Sequence, residues 1–94
     1  MKKGQRKVRN LGRFIVADTA ICHGKPTFRG TRIMVWQVLE MVSEGMDFDA
    51  IVKAWDDSAV TREAVAEATQ LASLAFQKSG TKYAVLKDRE QVPA

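Results

Sequence analysis

The residues best equipped for chemistry sit side by side. Cys22 is the one cysteine and His23 the one histidine in a chain of 94 residues. Successive side chains of an extended segment point to opposite faces, so this pair does not converge on a common atom. A zinc site built on it would need two more ligands drawn from carboxylates, an unusual structural choice. The alternative is structural, with His23 hydrogen-bonding the turn around Gly24 and Cys22 acting as a small, half-buried hydrophobe in a reducing compartment. Enzymes need a convergent set of nucleophile, base or paired carboxylates. No such set is evident here, and the expectation is a non-enzymatic chain with no metal and no cofactor.

Gly24-Lys25-Pro26-Thr27 has the outline of a phosphate loop but lacks the upstream glycine at the required spacing and a Ser or Thr directly after the lysine. Pro26 also removes a backbone donor that such a cradle uses. Nucleotide binding is rejected on that basis. Arg29 and Arg32 then read as planar, multi-donor groups that tie turn carbonyls or acidic helix ends together, with phosphate contact as the second reading.

These residues must be held by something. Phe14-Ile15-Val16 is a β-favouring run, followed by Phe28 and then Ile33 to Val35, with Gly24, Pro26 and Gly30 between them, so a hairpin or paired extended segments are expected. Gly24 and Gly30 can take positive φ without penalty, and Pro26 pushes Lys25 towards an extended backbone. Val35, Val38, Leu39 and Val42 lie at helical spacing, which predicts a first helix over Val35 to Glu44 ended by Gly45. Phe48, Ile51, Val52 and Trp55 predict a second, capped by Asp47. After Asp56 to Val60 breaks the pattern, Thr61 is placed to cap a third helix from Arg62 to Lys78, with Gly80 as its stop. Tyr83, Val85 and Leu86 would add a short docked strand or pack loosely. Trp36 and Met41 fall off the narrow stripe of the first helix, so they cover either a second surface for a partner or the core.

Three helices with a turn of several residues before the third have the order of a helix-turn-helix, in which the third helix presents its first turns to the major groove. Arg62, Ala66, Thr69 and Gln70 would face outwards there, although Glu63 and Glu67 on the same helix repel phosphate. Charge adds to this picture. Residues 1–32 carry nine bases against Asp18 alone, a net +8; residues 33–78 carry three bases against eight acids, a net −5. Such a basic arm on an acidic body suits either phosphate contact, through Lys2, Lys3, Arg6, Lys7 and Arg9, or pairing with another surface. With 46% apolar and 28% charged residues the chain is that of one folded domain. Its boundaries are a flexible basic arm over 1–11 that orders on a partner, a folded unit over 12–80 and a tail over 81–94. A core this small, with no disulfide available, makes a homodimer a reasonable expectation. No run approaches the roughly 18 apolar residues of a spanning helix, and no signal-peptide core follows the basic start, so a cytoplasmic location away from membranes is expected.

His23-Gly24-Lys25-Pro26, then Arg29-Gly30-Thr31-Arg32-Ile33 and Val35, a Gly45-Met46 turn into Phe48-Asp49-Ala50-Ile51, and Val60-Thr61-Arg62-Glu63-Ala64-Val65 together resemble domain-of-unknown-function family 433. The likeness runs from about Phe14 to Ala75. Two places depart from the commonest pattern: Met34 stands where proline is frequent, and Asp56 to Ala59 replace a tyrosine-proline turn. The resemblance implies a mainly α fold, a homeodomain-like trihelical helix-turn-helix core preceded by short β-strands or a β-hairpin. Gly24, Pro26, Arg29, Gly30, Thr31 and Arg32 form its structural motif. It further implies an antitoxin of a toxin-antitoxin pair that binds and neutralises a PIN-like ribonuclease toxin and binds its own promoter, an autoregulating DNA-binding protein. An alternative from a different class is a protein-interaction or dimerisation module without DNA binding, using Trp36 and Met41.

Overall fold

The computed structural model describes residues 5–79, which form a three-stranded antiparallel sheet followed by three helices. Strands β1 (Val8–Asn10), β2 (Ile15–Asp18) and β3 (Thr27–Phe28) lie in the order β1-β2-β3. The register sets Val8 against Asp18 and Asn10 against Val16, then Ile15 against Phe28. The β2–β3 pairing and an isolated bridge between Thr27 and Met34 match the expected paired segments. β1 does not match. Three residues of the segment expected to be loose over 1–11 are a strand, because β2 offers an open edge and Thr19 exchanges hydrogen bonds with Lys7, its N–H donating to the Lys7 carbonyl and its Oγ1 accepting from the Lys7 N–H.

Between β2 and β3 the chain makes a short 3-10 turn over Cys22–Gly24. Cys22, His23 and Gly24 all have positive φ, at 50°, 57° and 84°, and Gly30 sits at 82° in the next turn. A left-handed backbone costs a residue with a Cβ roughly 1–2 kcal/mol, so Cys22 and His23 are held in place by surrounding bonds. The Gly24 N–H donates to Ile21 and the Lys25 N–H to Cys22.

Helix α1 covers Val35–Ser43, opened by the Gln37 side chain accepting from the Met34 N–H and closed by Gly45 at φ 91°. Helix α2 covers Phe48–Trp55, and Asp47 caps it by accepting from the Ala50 N–H at 2.8 Å. Its last turn ends on Asp56 in the left-handed region, whose N–H donates to the Val52 carbonyl. Helix α3 covers Arg62–Ser79, with Thr61 Oγ1 accepting from the Ala64 N–H. Each start and cap therefore falls where the side-chain chemistry places it.

The core unites both layers. Ile15 and Phe28 from the sheet pack with Val35 and Val38 of α1, Ile51 of α2, Val60, and Ala64, Val65 and Ala68 of α3. Alanines on α3 let α1 and α2 approach it closely. A second link ties α3 to the sheet. Both oxygens of the Glu67 carboxylate accept backbone hydrogens from the β1–β2 turn, from Arg13 and Phe14, each at 2.8 Å. Among the described residues no helix is long and apolar enough to cross a membrane. Gly80, expected to stop α3, and Tyr83, Val85 and Leu86 lie outside the described residues, as does the expected tail over 81–94.

Candidate functional site

The Gly24-to-Arg32 motif is a set of interlocked turns. Pro26 offers its carbonyl to the Val35 N–H, which fixes the start of α1 against β3. Thr31 Oγ1 donates to the Phe28 carbonyl and accepts from the Ile33 N–H, closing the loop around Gly30. A Cβ on Gly30 would meet nothing within 4 Å, so its positive φ is what calls for glycine there. Arg29 braces the opposite turn: its guanidinium donates to the carbonyls of Gly12 and Arg13 and to Asn10 Oδ1. Arg32 differs from the expectation. It contributes a carbonyl, which accepts from the Cys22 thiol, while its exposed guanidinium takes part in no hydrogen bond or ion pair among the described residues. His23 is likewise exposed and its imidazole bonds no turn atom, since the turn is closed by backbone groups alone.

The cations expected to meet DNA are unequally free. Lys2 and Lys3 lie outside the described residues. Arg6 is committed to Asp18, which is almost fully buried; Nε donates to Oδ2 at 2.9 Å. That hydrogen bond, with a second from the Ala20 N–H, holds the Asp18 carboxyl below its ordinary pKa against the opposing effect of burial. Lys7 and Arg9 remain exposed, with Arg9 beside the C-terminal half of α3 in a groove shared with Leu11, Leu71, Leu74 and Lys78.

On α3, Arg62 pairs with Asp49, and this hydrogen bond raises the guanidinium pKa. The arginine thus ties the start of α3 to the start of α2 instead of standing free. Asp47, Asp49 and Glu63 are exposed and act on the same guanidinium, so the start of α3 presents an acidic surface. Thr69 is half-buried and its hydroxyl donates back to the Ala66 carbonyl, which withdraws it from base reading. Gln70 stays exposed, on a face with Ala66, Ser73 and Gln77 that carries no charge.

Of the two residues expected to cover either a partner surface or the core, Met41 takes the core. It is half-buried against the core, and its sulfur accepts the Trp55 indole N–H at 3.1 Å. Trp36 is half-exposed and, with Lys25, Pro26, Val35 and Leu39, lines a surface recess of about 420 Å³ whose walls are apolar apart from Lys25. Such walls suit an apolar side chain better than a polar cofactor, which needs several placed polar groups. Among the described residues, no three His, Cys, Asp or Glu side chains are grouped to hold a metal ion.

Sequence reasoning passed over Glu67, read as repelling phosphate, and over Asp18 and Asn10. Asp18 carried a usable signal: a single acid among nine bases is a natural internal partner for one of them. Glu67 carried none, because its partners are backbone groups more than 50 residues away.

The molecule is thus a small domain of three helices fronted by a three-stranded antiparallel sheet, with a basic strand edge, an acidic α2–α3 end and an apolar recess beside α1. Its residues 15–72, from β2 through most of α3, match the family described as Protein of unknown function (DUF433), and the chain belongs to that family. No curated protein and no solved structure matches it.

Proposed function

We propose that this chain is an antitoxin: a homeodomain-like, DNA-binding regulator that contacts its own promoter and neutralises a partner nuclease, a PIN-like ribonuclease toxin, by direct contact. The observation that carries the DNA half is that Arg9 of β1 lies in a groove with the later turns of α3. Arg9 and Lys78 share one groove with Leu71 and Leu74, and the exposed, uncharged Gln70, Ser73 and Gln77 lie on the same later turns of α3. Phosphates position a duplex while neutral amides and hydroxyls read base edges. In this reading the contact lies on the sheet side and the later turns of α3. Arg62 and the first turns are turned to other use by the acidic groups around them.

The test is equilibrium binding of the upstream promoter duplex and of a scrambled duplex at several ionic strengths. Affinity falls steeply with salt if cations meet phosphates. No binding at low salt, or no preference for the promoter, refutes the proposal. The antitoxin half is checked by co-expressing the adjacent gene product, which co-purifies with this chain and loses its nuclease activity in the complex.

One observation favours the second reading, a protein-interaction module in the cytoplasm without DNA binding, as a homodimer or with another chain. An indole half open to solvent beside an apolar recess is the kind of anchor that protein contacts use. Trp36→Ala removes the association without altering the helical circular-dichroism signal if this reading holds; unchanged association counts against it.

A further inference from the structure

Just after β3, Arg29 reaches across to the β1–β2 turn and is fixed in place there but not neutralised. Arg29 spends Nε, Nη1 and Nη2 on the Arg13 carbonyl at 3.3 Å, Asn10 Oδ1 at 2.7 Å and the Gly12 carbonyl at 2.9 Å. All three acceptors are neutral, so the guanidinium keeps its full positive charge. Two of its N–H bonds remain unspent. Beside it, the Arg13 guanidinium lies over the Phe14 ring at 5.1 Å. Both arginines are exposed, and among the described residues the ion pairs are Arg6–Asp18 and Arg62–Asp49, so neither the Arg13 nor the Arg29 guanidinium is in an ion pair. Glu67 is the acid of this turn, and it is directed to the backbone hydrogens of Arg13 and Phe14.

We propose that Arg29 and Arg13 form a phosphate clamp that grips the backbone of a DNA duplex at the sheet end of the molecule. A guanidinium already held by three bonds has little conformational freedom left to lose on binding. Its planar fork matches phosphate oxygens in pairs. The surroundings select a polyanion: Lys7 and Arg9 continue the positive strip along β1, whereas the start of α3, with Asp47, Asp49 and Glu63 around Arg62, is acidic and repels one. Arg29 therefore has two tasks, bracing the turn through carbonyls and presenting its remaining donors outwards.

The clamp rests on the DNA-binding reading, and duplex titrations of wild type, Arg13→Gln and Arg29→Gln separate the two ideas. Arg13→Gln is the decisive variant, because its backbone bond to Glu67 survives the substitution. The slope of log affinity against log salt should become shallower by about 0.9 for each phosphate that is no longer gripped. Promoter and scrambled duplex should weaken by the same factor, since phosphates carry no sequence information. Arg29→Gln should show the same weakening, with its melting temperature recorded to separate the brace from the clamp. If wild type binds and Arg13→Gln keeps both affinity and slope, the clamp is refuted while the DNA-binding reading stands. If wild type binds no duplex at low salt, both fall. Weakened binding of free inorganic phosphate by the variants, with duplex binding intact, overturns the assignment to a DNA backbone.

Discussion

Gly12→Ala tests how α3 is fastened to the sheet. A Cβ at Gly12 would stand 2.5 Å from Cδ and from Oε1 of Glu67 and 2.7 Å from Oε2. The carboxylate is the end of a flexible side chain and is able to swing away, but only by releasing the N–H groups of Arg13 and Phe14. Hydrogen bonds to charged groups contribute about 1.5–3 kcal/mol each when sheltered. Here water replaces part of that at a half-exposed turn, so losing both costs about 2 kcal/mol. Alanine restricts the unfolded chain and returns about 0.4–1 kcal/mol. The net destabilisation is about 1–1.5 kcal/mol, or roughly 4–12 °C in melting temperature at about 4–8 °C per kcal/mol for a domain of this size. Urea unfolding followed by tryptophan fluorescence measures it. The sign reverses in a Glu67→Ala background, where the space is open and Gly12→Ala becomes neutral or stabilises by about 0.5 kcal/mol. Equal effects of Gly12→Ala in the two backgrounds would refute the idea that the carboxylate occupies the space of a glycine side chain.

Three further outcomes follow from named groups. Because Arg6 and the Ala20 N–H depress the folded-state pKa of Asp18, the stability this site supplies is complete above the ordinary carboxylate value of about 3.9 and is lost as pH falls through the depressed one. Acid unfolding of Arg6→Gln should show a smaller stability loss over that interval than wild type; identical curves would remove Arg6 as the cause. Thr27 is buried and its hydroxyl has no hydrogen-bond partner among the described residues, so Thr27→Val should raise stability by about 1 kcal/mol, seen as a higher urea midpoint with an unchanged slope. Ile51 has no exposed surface and joins α2 to the core, so Ile51→Ala should cost about 2–5 kcal/mol and leave much of the chain unfolded by circular dichroism at 37 °C.

The helices were legible because their signals are local. Apolar spacing in Phe48, Ile51, Val52 and Trp55 lies within two turns, Asp47 and Thr61 cap residues three positions away, and Gly45 ends α1 through its own backbone freedom. The paired segments around Phe28 were legible for the same reason. β1 was not: Val8 is a lone β-favouring residue among Lys, Arg and Asn, and the segment becomes a strand through the edge that β2 offers. Met41 and Trp36 looked alike as residues off the apolar stripe. Packing separated them, half-burying Met41 against the core with the Trp55 indole N–H on its sulfur and leaving Trp36 at an open recess.

The charge asymmetry has a similar history. The count of bases and acids along the chain was enough to establish a basic beginning and an acidic middle, since charge is carried by residue type. Which of those charges remain available is a matter of distance between residues far apart in the chain. Asp18 takes up Arg6 across 12 positions, Asp49 takes up Arg62 across 13, and Glu67 spans 54 positions to the Arg13 N–H. Local preference sets helix, turn and cap because their partners are a few bonds away. Long-range folding alone sorts the arginines into those that hold the structure together and those, Arg13 and Arg29 among them, whose charge still faces outwards.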